Sequence, residues 1–135
     1  LDVVENVAIP AIAQGRSFGE SYAAARDVLE RVGLGRRHHH LVGELSGGEQ
    51  QRVSIARALV NTPSIVFADE PCANLDTENS RIVLDLFRKI NRDLGQTVVM
   101  VSHEAWHMDY FDRIVFLKDG LLDVERIREA GRWIS

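Results

Sequence analysis

Two acidic residues, Asp69 and Glu70, directly follow an uninterrupted apolar run at residues 65–68. A short apolar run of this kind is typical of a strand that is buried on both faces of a parallel sheet. A carboxylate at the end of the strand can supply a hard oxygen ligand to Mg²⁺, often through water. A neighbouring carboxylate can orient a water molecule and accept its proton, which typically accelerates hydrolysis by about 10²–10⁴-fold. The pair therefore predicts metal-assisted hydrolysis, with Asp69 as the metal ligand and Glu70 as the base.

The same residues also fit a simpler structure, a strand that ends in a solvated acidic turn. Pro71 disfavours helix at the residue before it, so we expect an extended backbone at Glu70. A second apolar run at residues 97–101 is followed by His103. Because ligands of open parallel sheets bind beyond the carboxyl ends of the strands, we expect Asp69, Glu70 and His103 to meet at one rim. There His103 could donate a hydrogen bond to a phosphate, or it could be an ordinary surface histidine.

A second polar segment, LSGGEQQR at residues 45–52, contains a serine and two glycines at the start of a helix. Ser46 and Glu49 have the spacing of a capping box, with which any helix can begin. A helix N-terminus also attracts anions, and Gly47 and Gly48 leave room for one to approach. A phosphate-binding P-loop would continue with lysine, but Glu49 stands at that position. The turn therefore predicts only half of a nucleotide site.

These candidate groups must be positioned by helices and strands that the apolar spacing predicts. We expect helices at residues 17–33, 46–60, 77–94 and 104–110, strands at residues 65–68, 97–101 and 113–117, and a hairpin turn at Asp119-Gly120. Strands that alternate with helices predict a parallel, doubly wound α/β sheet. Residues 1–61 contain no strand pattern and predict a helical subdomain, and residues 62–135 predict the α/β part.

Composition narrows the class of protein. The chain has 135 residues, of which 45% are hydrophobic, and a net charge of −4, which argues against a nucleic-acid partner. It contains no apolar run long enough to span a bilayer and no signal-peptide pattern. The single Cys72 excludes an intrachain disulfide, which suits the cytosol. Because the chain begins with Leu1 rather than Met, we expect a fragment or a processed product.

The motifs occur in an order that resembles the second half of the ATPase subunits of ABC transporters. LSGGEQQR corresponds to the signature motif, IVFADEP to Walker B, ANLD at residues 73–76 to the D-loop, and His103 to the switch histidine. The resemblance covers residues 1–122 and is closest to the ATPases of lipoprotein release, macrolide export and cell division. It implies an α/β fold, the C-terminal part of a P-loop NTPase parallel sheet with a helical subdomain that carries the signature motif. The Walker A part would precede Leu1 and is missing.

The resemblance also implies partners and cofactors. Two ATPase subunits would form a head-to-tail dimer with ATP and Mg²⁺ between them, so the signature motif would hold the γ-phosphate of the partner's ATP. Glu70 and His103 would be catalytic, and Asp69 would hold Mg²⁺ through water. The residues implied to contact ATP or cross the interface are Ser46, Gly47, Gly48, Glu49, Gln50 and Asp76.

Three functions remain open for the chain. The first is the ATP-binding and hydrolysing subunit of a transporter, cytoplasmic on the inner face of the membrane, docked to an integral-membrane permease that exports lipoproteins, peptides or drugs. Without a Walker A loop, the 135 residues alone should hydrolyse ATP negligibly. The second is an ABC-family ATPase without a transport role, and the third is a non-catalytic module that completes or blocks a partner's nucleotide site.

We assign packing and surface roles to residues 106–108, which follow the switch histidine.

Overall fold

The computed structural model describes all 135 residues, which form two compact units, Leu1–Val101 and Ser102–Ser135. The first unit contains four α-helices, two strands and a short 3₁₀ helix. They are, in chain order, α1 Val3–Ala13, α2 Phe18–Arg31, the 3₁₀ helix Val42–Glu44, α3 Gly47–Leu59, β1 Ile65–Asp69, α4 Thr77–Leu94 and β2 Thr97–Val101. The boundary that we predicted after residue 61 remains a prediction.

Each α-helix of the first unit begins at a residue whose side chain caps it. Asp2, Ser17, Ser46 and Asp76 each accept the backbone N–H three residues on. A cap of this kind typically stabilises a helix by about 0.5–2 kcal/mol. The predicted helices at residues 17–33, 46–60 and 77–94 are confirmed. The last ends at Gly95, whose φ of 64° lies in the left-handed region that glycine tolerates.

The core of the first unit lies between the helices. The helices α1, α2 and α3 pack together through fully or almost fully buried side chains, among them Val7, Leu29 and Val53. The longest helix, α4, packs against α3 and β2 and buries Val83 and Phe87. Helix α3 therefore packs against the three other α-helices of the unit.

The two strands of the first unit are parallel and in register, from Ile65 opposite Thr97 to Asp69 opposite Val101. Our expectation that the first strand is buried on both faces was wrong. Val66 is buried, but Phe67 is 77% exposed. Successive side chains of a strand point to opposite faces, and within this unit only one face of the strand pair is covered.

The second unit consists of a 3₁₀ helix and an antiparallel sheet. Its elements are the 3₁₀ helix Ala105–Tyr110 and the strands β3 Arg113–Lys118, β4 Leu121–Glu129 and β5 Arg132–Ile134, paired in that order. The hairpin turn at Asp119-Gly120 is confirmed, with φ angles of 52° and 78°. The strand after residue 112 also exists, but it pairs antiparallel with β4 and does not extend the parallel sheet. The tight turn explains this pairing, because a two-residue connection joins antiparallel strands.

No helix in either unit is both long enough and apolar enough to cross a bilayer.

Candidate functional site

The turn before α3, defined here as the signature turn, consists of Ser46, Gly47 and Gly48. Ser46 Oγ accepts the backbone N–H of Glu49 at 3.2 Å, and Glu49 Oε2 accepts the N–H of Ser46 at 3.0 Å. The predicted capping box is therefore confirmed. The first turn of a helix leaves its N–H groups without intrahelical partners. Since Ser46 takes only the N–H of Glu49, the N–H of the exposed Gly47 remains available to an anion, which the positive helix end favours.

The side chains of Glu49 and Gln50 point back into their own chain. Besides its bond to Ser46, Glu49 forms an ion pair with Arg37, with 3.2 Å between Nε and Oε1. The hydrogen bond from the Ser46 backbone, followed by the charge of Arg37, holds the pKa of Glu49 below its usual value. Gln50 donates from Nε2 to the carbonyl of Leu45 at 3.0 Å. Both side chains therefore stiffen the signature turn, and their contact with ATP remains a prediction.

Gly48 is buried against the first turn of α4, which links the signature turn to the D-loop. A methyl group placed on Gly48 would lie 2.5 Å from Asn79 Oδ1. The Asn79 amide nitrogen in turn donates to both carboxylate oxygens of Asp76, at 3.1 and 3.0 Å. Asn79 was not predicted as part of the site, although its position three residues after a capping aspartate is a signal for such a bond.

Asp76 is the N-cap of α4 and is exposed. Its Oδ1 accepts the backbone N–H of Asn79 at 2.7 Å. The backbone and side-chain hydrogen bonds from Asn79 hold the pKa of Asp76 below its usual value. The carboxylate is therefore ionised near neutral pH and can accept further hydrogen bonds on its exposed side. Its role at a subunit interface remains a prediction.

Asp69 and Glu70 lie at the carboxyl end of β1, beside the end of β2. Glu70 donates its backbone N–H to the carbonyl of Val101 at 3.0 Å, so the hydrogen bonding between β1 and β2 continues one residue past the end of β1. Our expectation of an extended backbone at Glu70 was wrong, because its φ is 46°. The chain reverses directly after the strand, where Ala73 donates its N–H to the Glu70 carbonyl at 3.1 Å. A left-handed backbone outside glycine costs about 1–3 kcal/mol and is often found at functional sites.

His103 belongs to the second compact unit, and its side chain is 75% exposed. Its Nε2 lies 3.5 Å from Glu104 Oε1, a contact that becomes an ion pair when the ring is protonated. The Oγ of Ser102 accepts the backbone N–H of Glu104 at 3.2 Å and closes a turn around His103. The predicted meeting of this histidine with the two carboxylates remains a prediction.

The residues of the chain fit part of a magnesium and nucleotide site. Asp69 is exposed at the strand end and carries the oxygen donor that Mg²⁺ prefers. The chain has no group of three or more histidine, cysteine or acidic side chains arranged to hold a metal. A magnesium ion at Asp69 would therefore need phosphate or water oxygens for most of its shell, which is usual for this ion.

Comparisons with known proteins agree with this arrangement. The profile of the family described as ABC transporter matches residues 1–73, more than half of the chain. The chain is 50% identical over 119 residues to the lipoprotein-releasing system ATP-binding protein LolD of Shewanella denitrificans, covering 88% of this chain and 51% of LolD. It is 46% identical over 134 residues to the macrolide export ATP-binding/permease protein MacB of Rhodopirellula baltica, covering 98% of this chain and 19% of MacB.

A solved structure shows the same fold. It is the dimeric, post-hydrolysis state of the ATP-binding cassette MJ0796 bound to ADP and Pi, with a TM-score of 0.77 and 38% identity. The match covers 94% of this chain and 56% of that one. The predicted α/β fold class and the family resemblance are thereby confirmed. The chain spans about half the length of the ATP-binding proteins that it matches. It belongs to the ABC transporter family and corresponds to part of the ATP-binding cassette.

Proposed function

We propose that the chain is part of an ATPase subunit that binds and hydrolyses ATP to drive a membrane permease. The observation that carries the proposal is the pair of carboxylates at the end of β1 in a chain that also presents the signature turn. Two relatives are named for lipoprotein release and macrolide export, which supports a permease that exports lipoproteins, peptides or drugs. The subunit would then lie at the inner face of the membrane, with residues 1–61 docked to the permease.

Each part of the site has a physical task in this proposal. In a head-to-tail dimer, the backbone N–H groups of the signature turn and the Ser46 hydroxyl would bind the γ-phosphate of ATP held by the partner. Magnesium would neutralise charge on the phosphates, and Asp69 would bind one of its water ligands. Glu70 would orient the attacking water and accept its proton. His103 would donate a hydrogen bond to the γ-phosphate, and Asp76 would reach toward the other site.

The test compares the ATPase rate of the complete protein that carries this sequence with that of a Glu70→Gln variant. Glutamine keeps the size of the side chain but cannot take a proton, so the rate should fall by about 10²–10⁴-fold. ATP binding should persist, because the carboxylate is assigned no part in affinity. The matched control is Glu78→Gln, which removes an exposed carboxylate from the first turn of α4. Equal rates for wild type and Glu70→Gln would refute the proposal.

A second measurement concerns the 135-residue chain alone. Without a Walker A loop it should bind ATP weakly and show no turnover above background. When the chain is added in excess to a complete homologous ATPase, it could contribute only its signature turn and its D-loop to a shared nucleotide site. Turnover by the isolated chain that disappears in the Glu70→Gln variant would contradict this expectation.

A further inference from the structure

One histidine that the proposed mechanism does not use is almost fully buried. His107 lies in the 3₁₀ helix Ala105–Tyr110 and is only 2% exposed. Burying an imidazole costs free energy unless its nitrogens are hydrogen-bonded. An aliphatic side chain would fill the same space without that cost. From the sequence, His107 was expected to have only a packing or surface role.

The ring of His107 is bonded to the residue that precedes the switch histidine. Its Nδ1 lies 2.6 Å from Ser102 Oγ, a short hydrogen bond. The same oxygen accepts the backbone N–H of Glu104 at 3.2 Å. The Ser102 hydroxyl has a hydrogen and a second lone pair, so it can donate to Nδ1 or accept from it, depending on which ring nitrogen carries the hydrogen. Ser102 thereby ties the backbone on both sides of His103 to one buried ring.

The ring of His107 is itself held in place. Trp106 meets it edge to face, with 4.2 Å between ring centroids and planes 80° apart. Trp106 also meets Tyr110 edge to face at 6.3 Å. The turn around His103 is thus bonded to a ring that is buried and packed against Trp106, while the side chain of His103 is 75% exposed.

We propose that His107 is a positioning residue for His103, acting through the hydroxyl of Ser102. The inference rests on the proposed function, in which His103 donates a hydrogen bond to the γ-phosphate. A hydrogen bond to a phosphate in the transition state depends on placement within a fraction of an ångström. The buried ring fixes the turn from which the side chain of His103 extends.

The experiment uses the complete protein and compares two substitutions of the same residue. Leucine in His107→Leu fills the space but cannot form a hydrogen bond with the Ser102 hydroxyl. Asparagine in His107→Asn keeps an amide near the position of Nδ1, which can accept or donate the same hydrogen bond. We expect His107→Leu to lower kcat by about 10–100-fold with little change in the KM for ATP. We expect His107→Asn to recover most of that loss, a rescue that a purely structural role would not produce.

Ser102→Ala removes the other partner and should lower kcat to a similar extent. The double variant Ser102→Ala/His107→Leu should then be no worse than Ser102→Ala alone, because that variant already removes the bond to His107. Met108→Leu, in the same 3₁₀ helix, serves as the control and should keep the wild-type kcat. If His107→Leu does not fold, the kcat of Ser102→Ala alone tests the proposal.

A His103→Ala variant separates the two proposals. If it lowers kcat but His107→Leu and Ser102→Ala do not, the positioning role is wrong and the proposed role of His103 stands. If His103→Ala has no effect on kcat, both assignments are wrong. Additive losses in the double variant would also overturn the inference.

Discussion

At the scale of single residues, the two glycines of the signature turn have different surroundings. A methyl group on Gly48 would lie 2.5 Å from Asn79 Oδ1, whereas one on Gly47 would lie 3.5 Å from Leu75 Cδ2, an ordinary contact. Gly48→Ala should therefore lower the free energy of unfolding by about 1–3 kcal/mol, as overpacking usually does. Gly47→Ala is the matched control and should leave it nearly unchanged. Urea unfolding measures both, and equal effects would contradict the packing role of Gly48.

The sequence predicted the capping box of the signature turn correctly but not the backbone conformation of Glu70. The capping box of Ser46 and Glu49 follows from two residue types at a fixed spacing, so sequence alone reveals it. The packing of Gly48 on Asn79 depends on how two helices meet, and no local pattern encodes that contact. The backbone of Glu70 is left-handed because the chain must reverse after the strand, which outweighs the preference imposed by Pro71.

At the scale of elements, the cap of α3 predicts how stability depends on pH. Hydrogen bonds from Ser46 and the charge of Arg37 hold the pKa of Glu49 below its usual 4.5. A depressed pKa in the folded state stabilises the fold above the unfolded pKa. That contribution is therefore complete above about pH 4.5 and is lost as the pH falls through the lower, folded value.

The variant Glu49→Gln isolates this contribution, because glutamine also serves in a capping box but does not titrate. We expect the wild type to lose free energy of unfolding more steeply than Glu49→Gln as the pH falls below about 4.5. Urea unfolding at a series of pH values measures both slopes. Parallel profiles would show that the ionised carboxylate of Glu49 does not stabilise the cap.

The helices were easier to predict than the pairing of the strands. The helix at residues 77–94 was predicted with the bounds that α4 has, and its end follows from Gly95. The cap at Asp76 emerged only from the structure. The strand after residue 112 was also expected, but its partner was not. An apolar run specifies a strand, whereas the neighbour with which it pairs depends on the whole sheet. The short turn at Asp119-Gly120 was the better guide to that neighbour.

At the scale of the whole molecule, one face of the parallel strand pair carries exposed apolar side chains. Phe67 is 77% exposed, and Val99, opposite it, is 45% exposed. Ile65 and Val101 on the same face are 45% and 57% exposed. Contiguous exposed apolar area promotes association. We therefore expect the 135-residue chain to self-associate at micromolar concentrations and to bind an apolar fluorescent dye.

The variant Phe67→Thr should reduce both dye binding and self-association, because it removes the largest exposed side chain of this face and keeps a strand-forming residue. Phe18→Ser is the control, since Phe18 is 67% exposed but lies on α2. Light scattering after size-exclusion chromatography gives the masses. If Phe18→Ser has the larger effect, the sheet face does not drive association.

The cap of α4 has a consequence for any molecule that recruits the Asp76 carboxylate. Both oxygens already serve the first turn of the helix. A cation or hydrogen-bond donor that draws the carboxylate away would destabilise that turn. By thermodynamic linkage, the formed turn would weaken the binding of that molecule by the same free energy. Amide hydrogen exchange at Asn79 would then rise on binding, so that fraying of one helix end reports on the occupancy of a neighbouring site.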